Sequence, residues 1–379
     1  WPPPSPERRG GGRCRRRAAA APAALMLSAA AREAAARGAG LPSPRHPASG
    51  APASCRERHA AVAAACCRRP PAPTQGLARR SPASGSRDAR AGPRGAPEPA
   101  LTVSLIVPTN SRPEFLHETV RGVKRQTYGG IREVIIVDDS PCPLRLSAEQ
   151  RDGLQAEILP VELVYMECNA RLSIGEKRNR AVQRASGRII GHFDDDDYHG
   201  SERVALQVQP IARGEADMTV LVHLSTYLMR SDELLRSRRR DGFGIHFGTM
   251  FFSRSLWAGG LRFADASLGE DRKFAQDAVQ RGARVRRLRP SLRAGDPTFV
   301  SVRHGSNSWA WHRAVREGAR RAERLDARRL LGGRYWDFAR RTRPLLAAVL
   351  SRRQRSPAPN RREPPGVDPH FFWRYFSGR

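Results

Sequence analysis

The sequence predicts an α/β protein built on a wound, mixed but mostly parallel sheet with helices on both faces. Three observations carry this expectation. Short runs that are apolar on both faces stand at Val103–Val107, Val134–Val137 and Ile189–Phe193, the pattern of strands buried between two layers. Each run leads directly into polar residues able to do chemistry, and in open α/β sheets the ligand crevice lies at the carboxyl ends of the strands. Segments of helical periodicity alternate with the strands, as a right-handed wound sheet requires.

Residues 1–100 are dominated by Ala, Arg, Pro, Gly and Ser. With almost no branched aliphatic or aromatic side chains they cannot bury enough surface to offset chain entropy, so a disordered head is predicted. The folded domain is expected over 101–312, long enough for one core. Its first strand runs into Pro108-Thr109-Asn110-Ser111-Arg112. Ser111 and Glu114 then have capping-box spacing, with Leu116, Val120 and Val123 on one helical face. The second strand runs into Asp138-Asp139-Ser140, and Leu163–Met166 supplies another strand. Ser173 and Glu176 repeat the cap spacing before Ala181, Val182 and Ala185, and Gly187 is a stop signal. The third strand runs into Asp194–Asp197. The order to this point reads strand, helix, strand, strand, helix, strand.

Met218–Met229 and Phe247–Phe252 are strand-like, Leu268–Gln280 is helix-like and closes at Gly282, and Phe299–Arg303 forms a short strand before His304. From 313 a basic helical tail is predicted: an amphipathic helix over Arg313–Leu331, then a Pro- and Arg-rich stretch over Arg352–Pro365. It ends in an aromatic cluster of Phe371, Phe372, Trp373, Tyr375 and Phe376. There is no internal repeat.

The formal net charge of +30 invites a nucleic-acid reading. Only three of the 67 basic side chains are lysine, however (Lys124, Lys177, Lys273), and Ala, Gly and Pro abound. That bias is the mark of a GC-rich coding sequence, so no nucleic-acid partner is expected. Four of the six cysteines (Cys14, Cys55, Cys66, Cys67) lie in the head. Cys142 and Cys168 form no Cys-x-x-Cys pair, so neither a disulfide framework nor a structural zinc is indicated. No run of 18 apolar residues suggests a membrane span. Arg13–Arg17 followed by Ala18–Ala31 imitates a targeting segment, interrupted by Pro22. Because the chain begins with Trp1, its true start is open. The expectation leans to a soluble, cytoplasmic protein, with the tail aromatics offering peripheral membrane contact.

Four adjacent carboxylates repel one another and are kept most readily around a cation. Magnesium or manganese takes one or two carboxylates plus substrate phosphates. Asp194 and Asp196, two apart at a strand end, are the candidate ligands, with Asp196 the more direct; a solvated acidic turn is the alternative. Asp138 and Asp139 could accept hydrogen bonds from a nucleobase or ribose, or simply open a turn. Arg112, Lys177 and Arg178 sit near the starts of the two capped helices, where phosphate is well accommodated, although in so arginine-rich a chain each could be ordinary surface. Glu270 and Asp271 open a later helix, and either could be a general base. His304 could supply an imidazole to a metal or a diphosphate, or be an ordinary hydrogen-bonded histidine.

Val103-Ser104-Leu105-Ile106-Val107-Pro108-Thr109, Val137-Asp138-Asp139-Ser140, Ile174-Gly175-Glu176-Lys177-Arg178-Asn179 and Phe193-Asp194-Asp195-Asp196-Asp197 occur in that order. With Gly269-Glu270-Asp271 and Val302-Arg303-His304-Gly305-Ser306-Asn307 they resemble the family 2 glycosyltransferases. The resemblance covers 101–312 and implies a GT-A-type fold, a nucleotide-diphosphate sugar donor and inversion at the anomeric carbon. It implies that Pro108, Thr109 and Asp139 hold the nucleoside, that Asp196 helps hold Mn2+ or Mg2+ on the diphosphate, and that Asp271 is the base. The polymerising members' transmembrane segments and Gln-x-x-Arg-Trp motif are missing, which favours transfer of a single sugar, foremost from a UDP-sugar, to an unnamed acceptor. Two other readings compete. A nucleotidyltransferase would prefer a Gly-rich loop where Pro108–Pro113 has no glycine. A non-catalytic basic binding protein has little need for Asp194, Asp196 and Asp271 together.

Overall fold

Seven strands make the main sheet, in the order β10-β6-β9-β4-β1-β2-β3. The computed structural model describes residues 101–379 apart from 143, 241, 305–306, 308–321, 345–361, 369 and 378–379. The predicted disordered head and most of the predicted basic helix and Pro/Arg stretch lie outside the described residues. Strands β1 (Val103–Thr109), β2 (Ile131–Asp138), β3 (Glu162–Glu167) and β4 (Ile189–His192) are mutually parallel in the pairs β1/β2, β1/β4 and β2/β3. Strand β9 (Ile245–Ser253) runs antiparallel to both β4 and β6 (Met218–Val222), and β6 pairs in parallel with β10 (Val285–Leu288). The expected mixed, mostly parallel sheet is therefore present.

Alternation along the strands divides two cores. Val103, Leu105, Val107, Val134 and Ile136 face helices α1 (Pro113–Lys124), α2 (Ala148–Ile158) and α4 (Arg203–Ala212), which contribute Leu116, Val120, Val123, Leu154, Ile158, Val204 and Val208. Ile106, Ile135 and Val137 face the other way, against Ala181, Val182 and Ala185 of α3 (Ile174–Arg184) and Phe274, Ala275 and Ala278 of α6 (Glu270–Gln280). Helices thus cover both faces. Each fully buried aliphatic side chain contributes about 1.5–3 kcal/mol, which is why strands apolar on both faces are stable only between two layers.

A second sheet, β12-β8-β7-β11-β5, is formed by β5 (Tyr198–His199), β7 (Ser225–Leu228), β8 (Glu233–Arg236), β11 (Phe299–Arg303) and β12 (Glu323–Leu325). It encloses a third core in which Tyr198, Tyr227, Val300 and Val302 meet Leu330, Leu331, Tyr335 and Phe338 of α7 (Ala327–Leu331) and α8 (Gly333–Thr342). A short helix α5 (Arg254–Ala258) follows β9. The terminal helix α9 (Phe371–Ser377) buries Phe372 against Phe247, and the Tyr375 hydroxyl accepts a bond from the Val285 amide at the sheet edge. Described residues beyond 312 therefore belong to these cores. No described helix is long and apolar enough to cross a membrane.

Several local expectations are corrected. Ser111 and Glu114 form no capping box: Arg112 is the N-cap without a side-chain bond, Pro113 opens α1, and Ser111 has a φ of 55° with its amide donating to Ser140 Oγ at 2.6 Å. The chain between β2 and β3 is not direct but carries α2, begun by a capping box of Ser147 and Gln150. Met218–Met229 is two strands, β6 and β7, in different sheets. The described end of the predicted basic helix is the strand β12 followed by α7. Gly187 does more than stop a helix, since a Cβ there would lie 2.6 Å from Ser104 N.

Candidate active site

The ends of β1, β2, β4 and β11 and the starts of α1, α3 and α6 deliver the polar residues to one edge of the main sheet. Lys177, in the first turn of α3, donates to the Thr109 carbonyl at the end of β1 (2.7 Å) and pairs with Asp139 Oδ1 just past β2 (2.6 Å). Asp139 also accepts from Asn110 Nδ2 (2.8 Å), Arg171 Nη1 (3.1 Å) and the Leu172 amide (2.8 Å). Asp138 is spent on its own turn: Oδ1 accepts from the Ser140 amide at 2.8 Å and from its hydroxyl, and Oδ2 from the Tyr165 hydroxyl. Pro108 stands opposite Val137 in the β1–β2 ladder.

The acidic run beyond β4 is sorted residue by residue. Asp195 Oδ2 accepts from Thr109 Oγ1 (2.6 Å), and its Oδ1 lies 2.7 Å from Arg112 Nη2. Asp196 Oδ2 meets Arg112 Nη1 (2.5 Å), His304 Nε2 (3.0 Å) and Asn307 Nδ2 (3.1 Å). Asp197 Oδ1 accepts from the Val302 amide (2.8 Å). Asp194 faces Arg178, whose Nη2 lies 3.2 and 3.3 Å from its two oxygens. The other arm of Arg178 pairs with Glu270 and lies 3.9 Å from Asp271 Oδ2.

Burial disfavours every one of these charges, and the partners decide which acids stay ionised. Burial holds the Asp195 carboxyl up at about 7 against Arg112, whereas at Asp196 the Arg112 guanidinium and His304 outweigh burial and hold it well below the usual carboxylate range. Burial together with the Asp196 charge pushes Asp197 up to about 8. Burial and the neighbouring Asp271 push Glu270 up to about 8, although Arg178 opposes them. Arg112 and Arg178 remain firmly cationic among these acids.

Residues 104–263, spanning β1 to the loop after α5, match the sequence profile of glycosyl transferase family 2. That segment is similar to the glycosyl transferase family 2 domain. The chain is similar to TuaG of Bacillus subtilis (strain 168), named for teichuronic acid biosynthesis, with 27% identity over 107 residues, 28% of this chain and 40% of the relative. It is also similar to WfaP of Escherichia coli, named UDP-Glc:alpha-D-GlcNAc-diphosphoundecaprenol beta-1,3-glucosyltransferase, with 25% identity over 148 residues, 39% of this chain and 55% of the relative. The matches thus span about half the length of these curated relatives. Among solved structures, S. aureus TarS (residues 1–349) in complex with UDP-GlcNAc matches with 17% identity over 62% of this chain and 71% of that one, at a TM-score of 0.43.

A divalent cation has to be tested against the residues of the transferase domain. Among the described residues no three His, Cys, Asp or Glu side chains are grouped to hold an ion. Asp196 and His304 do come together, and the contacts of Asp196 all fall on Oδ2. One carboxylate and one imidazole fit manganese or magnesium when substrate phosphates complete the shell. Asp194, expected as a further ligand, is paired with Arg178 instead.

Sequence reasoning placed Asp195 and Asn307 in its motifs without giving either a role, and missed Arg203 and His199. Arg203 is fully buried among Phe193, Phe251 and Phe299, donates to the His192 carbonyl (2.6 Å) and contacts His199 Nδ1, while His199 Nε2 meets the Asp194 carbonyl (2.8 Å). This chain of contacts fixes the backbone from which the acidic run projects. Among 64 arginines nothing local in the sequence marks Arg203 as fully buried.

Proposed function

We propose that this chain transfers a single sugar from a nucleotide-diphosphate sugar, foremost a UDP-sugar, to an acceptor hydroxyl, with inversion at the anomeric carbon. The observation that carries the reading is the convergence of Asp139, Arg112, Lys177, Arg178, Asp196 and Asp271 from five separate stretches of chain onto one edge of the sheet. The donor named for the relative WfaP, UDP-Glc, supports the choice of uridine nucleotide.

Each residue then has a task. Asp139, buried on Asn110, Lys177 and the Leu172 amide, would meet the nucleoside by exchanging one of these partners, with Thr109 beside it. Arg112 and Lys177 leave their carboxylate partners in part to meet the diphosphate, whose negative charge grows as the sugar departs; preorganised charge of this kind commonly contributes the largest share of a rate enhancement. Asp196 and His304 would hold a manganese or magnesium ion, which when bound supplies further positive charge against the leaving group. Of the two acids that open α6, Glu270 is 5% exposed and tied to Arg178, whereas Asp271 is 20% exposed and lies farther from it. Asp271 is therefore the base that reaches an acceptor hydroxyl, and Glu270 positions Arg178. A well-placed base adds roughly a hundredfold to ten-thousandfold.

The test is a panel of nucleotide sugars incubated with the protein and manganese, with release of nucleoside diphosphate as the readout. Slow hydrolysis of one donor, foremost a UDP-sugar, is the expected result. Pyrophosphate release from a nucleoside triphosphate and a sugar phosphate would instead mark a nucleotidyltransferase. Inertness toward both panels would leave a binding protein.

A further inference from the structure

A notch at Gly248, beside the acidic run, has the chemistry of a hydroxyl subsite. Strand β9 runs antiparallel to β4 with Ile189, Ile190 and Gly191 opposite Ser253, Phe252 and Phe251, and the same register carried outward sets Gly248 opposite Asp194. The backbone at 248 does not adopt a positive φ, so its conformation demands no glycine. What the glycine spares is a close contact with two polar side chains that face the same small space. A Cβ at this position would lie 3.0 Å from Asp194 Oδ2, 3.0 Å from His246 Cε1 and 3.2 Å from His246 Nδ1.

His246 Nδ1 is buried and has no hydrogen-bond partner among the described residues, a costly state for a ring nitrogen and one that native structures rarely leave unresolved. Its other nitrogen is spoken for: Nε2 lies 3.2 Å from Ser301 Oγ and 3.8 Å from Asp197 Oδ2. The His246 and Asp194 side chains are 14% and 20% exposed, so neither is fully sealed in the core. An acceptor-only carboxylate and an imidazole nitrogen around one small space match a group that both donates and accepts, which is a hydroxyl.

We infer that this notch receives one hydroxyl of the sugar being transferred. Ser301 Oγ donates to His246 Nε2, His246 Nδ1 donates to the sugar hydroxyl oxygen, and that hydroxyl donates to Asp194 Oδ2, which Arg178 holds in place. The inference rests on the donor reading above and deepens it, because it makes His246 and Gly248 determinants of which sugar is accepted. A site that hydrogen-bonds a substrate hydroxyl rejects the analogue lacking it far more strongly than an apolar pocket can.

The experiment compares two affinities in the same protein. Calorimetric titrations, with manganese present, would measure UDP and the UDP-sugar preferred in the donor panel against wild type, Gly248→Ala and His246→Ala. Gly248→Ala requires its neighbours to give by only a few tenths of an ångström, so it tests the notch without emptying the site. In both variants the UDP-sugar should bind about tenfold more weakly or worse, while UDP stays within about twofold of wild type. The wild type should also reject the deoxy or epimeric donor in which that hydroxyl is missing or inverted, and the variants should discriminate less. Unchanged UDP-sugar affinity in Gly248→Ala, or an equal loss for UDP and UDP-sugar, would overturn the inference while leaving the donor reading intact. Failure of the wild type to bind any nucleoside diphosphate would overturn both.

Discussion

Arg178 links the two halves of the chemistry, with Asp194 on one arm and Glu270 and Asp271 on the other. Asp271→Asn keeps the side chain's size and removes its basicity, so donor affinity should stay within about twofold while transfer falls by roughly a hundredfold to ten-thousandfold. A single-turnover transfer assay beside a UDP titration checks this, and a variant that retains its rate would assign the base elsewhere. Glu270 makes a different prediction. Its carboxyl keeps a proton up to about pH 8 in the folded chain, whereas an unfolded glutamic acid loses it near pH 4.3, roughly. Between those values the folded state binds more protons, so this residue's contribution makes stability fall as pH rises, by up to about 1.4 kcal/mol per pH unit. Urea unfolding between pH 5 and 8, as a rough working range, should show a shallower decline in Glu270→Gln; an identical or steeper one would contradict the assignment.

Among the elements, β4 depends on a close approach that the sequence disguises. Gly187 lies against the Ser104 backbone of β1, and its amide donates to Ser104 Oγ at 2.8 Å; Ser104 in turn donates to the buried Glu133 at 2.6 Å. Gly187→Ala should therefore destabilise the fold by about 1–3 kcal/mol, read as a lower urea midpoint, and a neutral effect would mean that the strand entry is looser than drawn. The strands were legible in the sequence because both their faces are buried, which turns Val103–Val107 and Val134–Val137 into unbroken apolar runs. Helix α2 was not, since it buries only Leu154 and Ile158 and shows almost no apolar stripe. The cap at Ser111 misled for a physical reason as well: Ser111 Nα–H is committed to Ser140, and Pro113 begins the helix without a side-chain cap. Strand ends announced Asp139, Asp194 and Asp196, and a helix start announced Asp271. The pairings of Arg203, Asn307 and His246 were not readable, because full burial, as at Arg203, or partners 55 to 111 residues away, as at His246 and Asn307, leave no local pattern.

At the scale of the molecule, one sheet edge gathers groups that are otherwise far apart in the chain, and the cations set against its acids keep Asp196 ionised while burial leaves Glu270 protonated up to about pH 8. On the proposed reading such an edge is exchangeable: a diphosphate would take over the cations, and a divalent ion would take over Asp196 and His304. Binding to the folded state alone stabilises it by about 2.7 kcal/mol at a hundredfold excess over Kd, which for a domain of this size amounts to roughly 2–4 °C per kcal/mol. Thermal unfolding with UDP and manganese, in wild type and in Asp196→Ala, tests the central claim most directly. The account predicts a rise in Tm of several degrees in the wild type that needs both ligands together and is lost in Asp196→Ala. A wild-type Tm indifferent to every nucleoside diphosphate, with manganese present or absent, would contradict it.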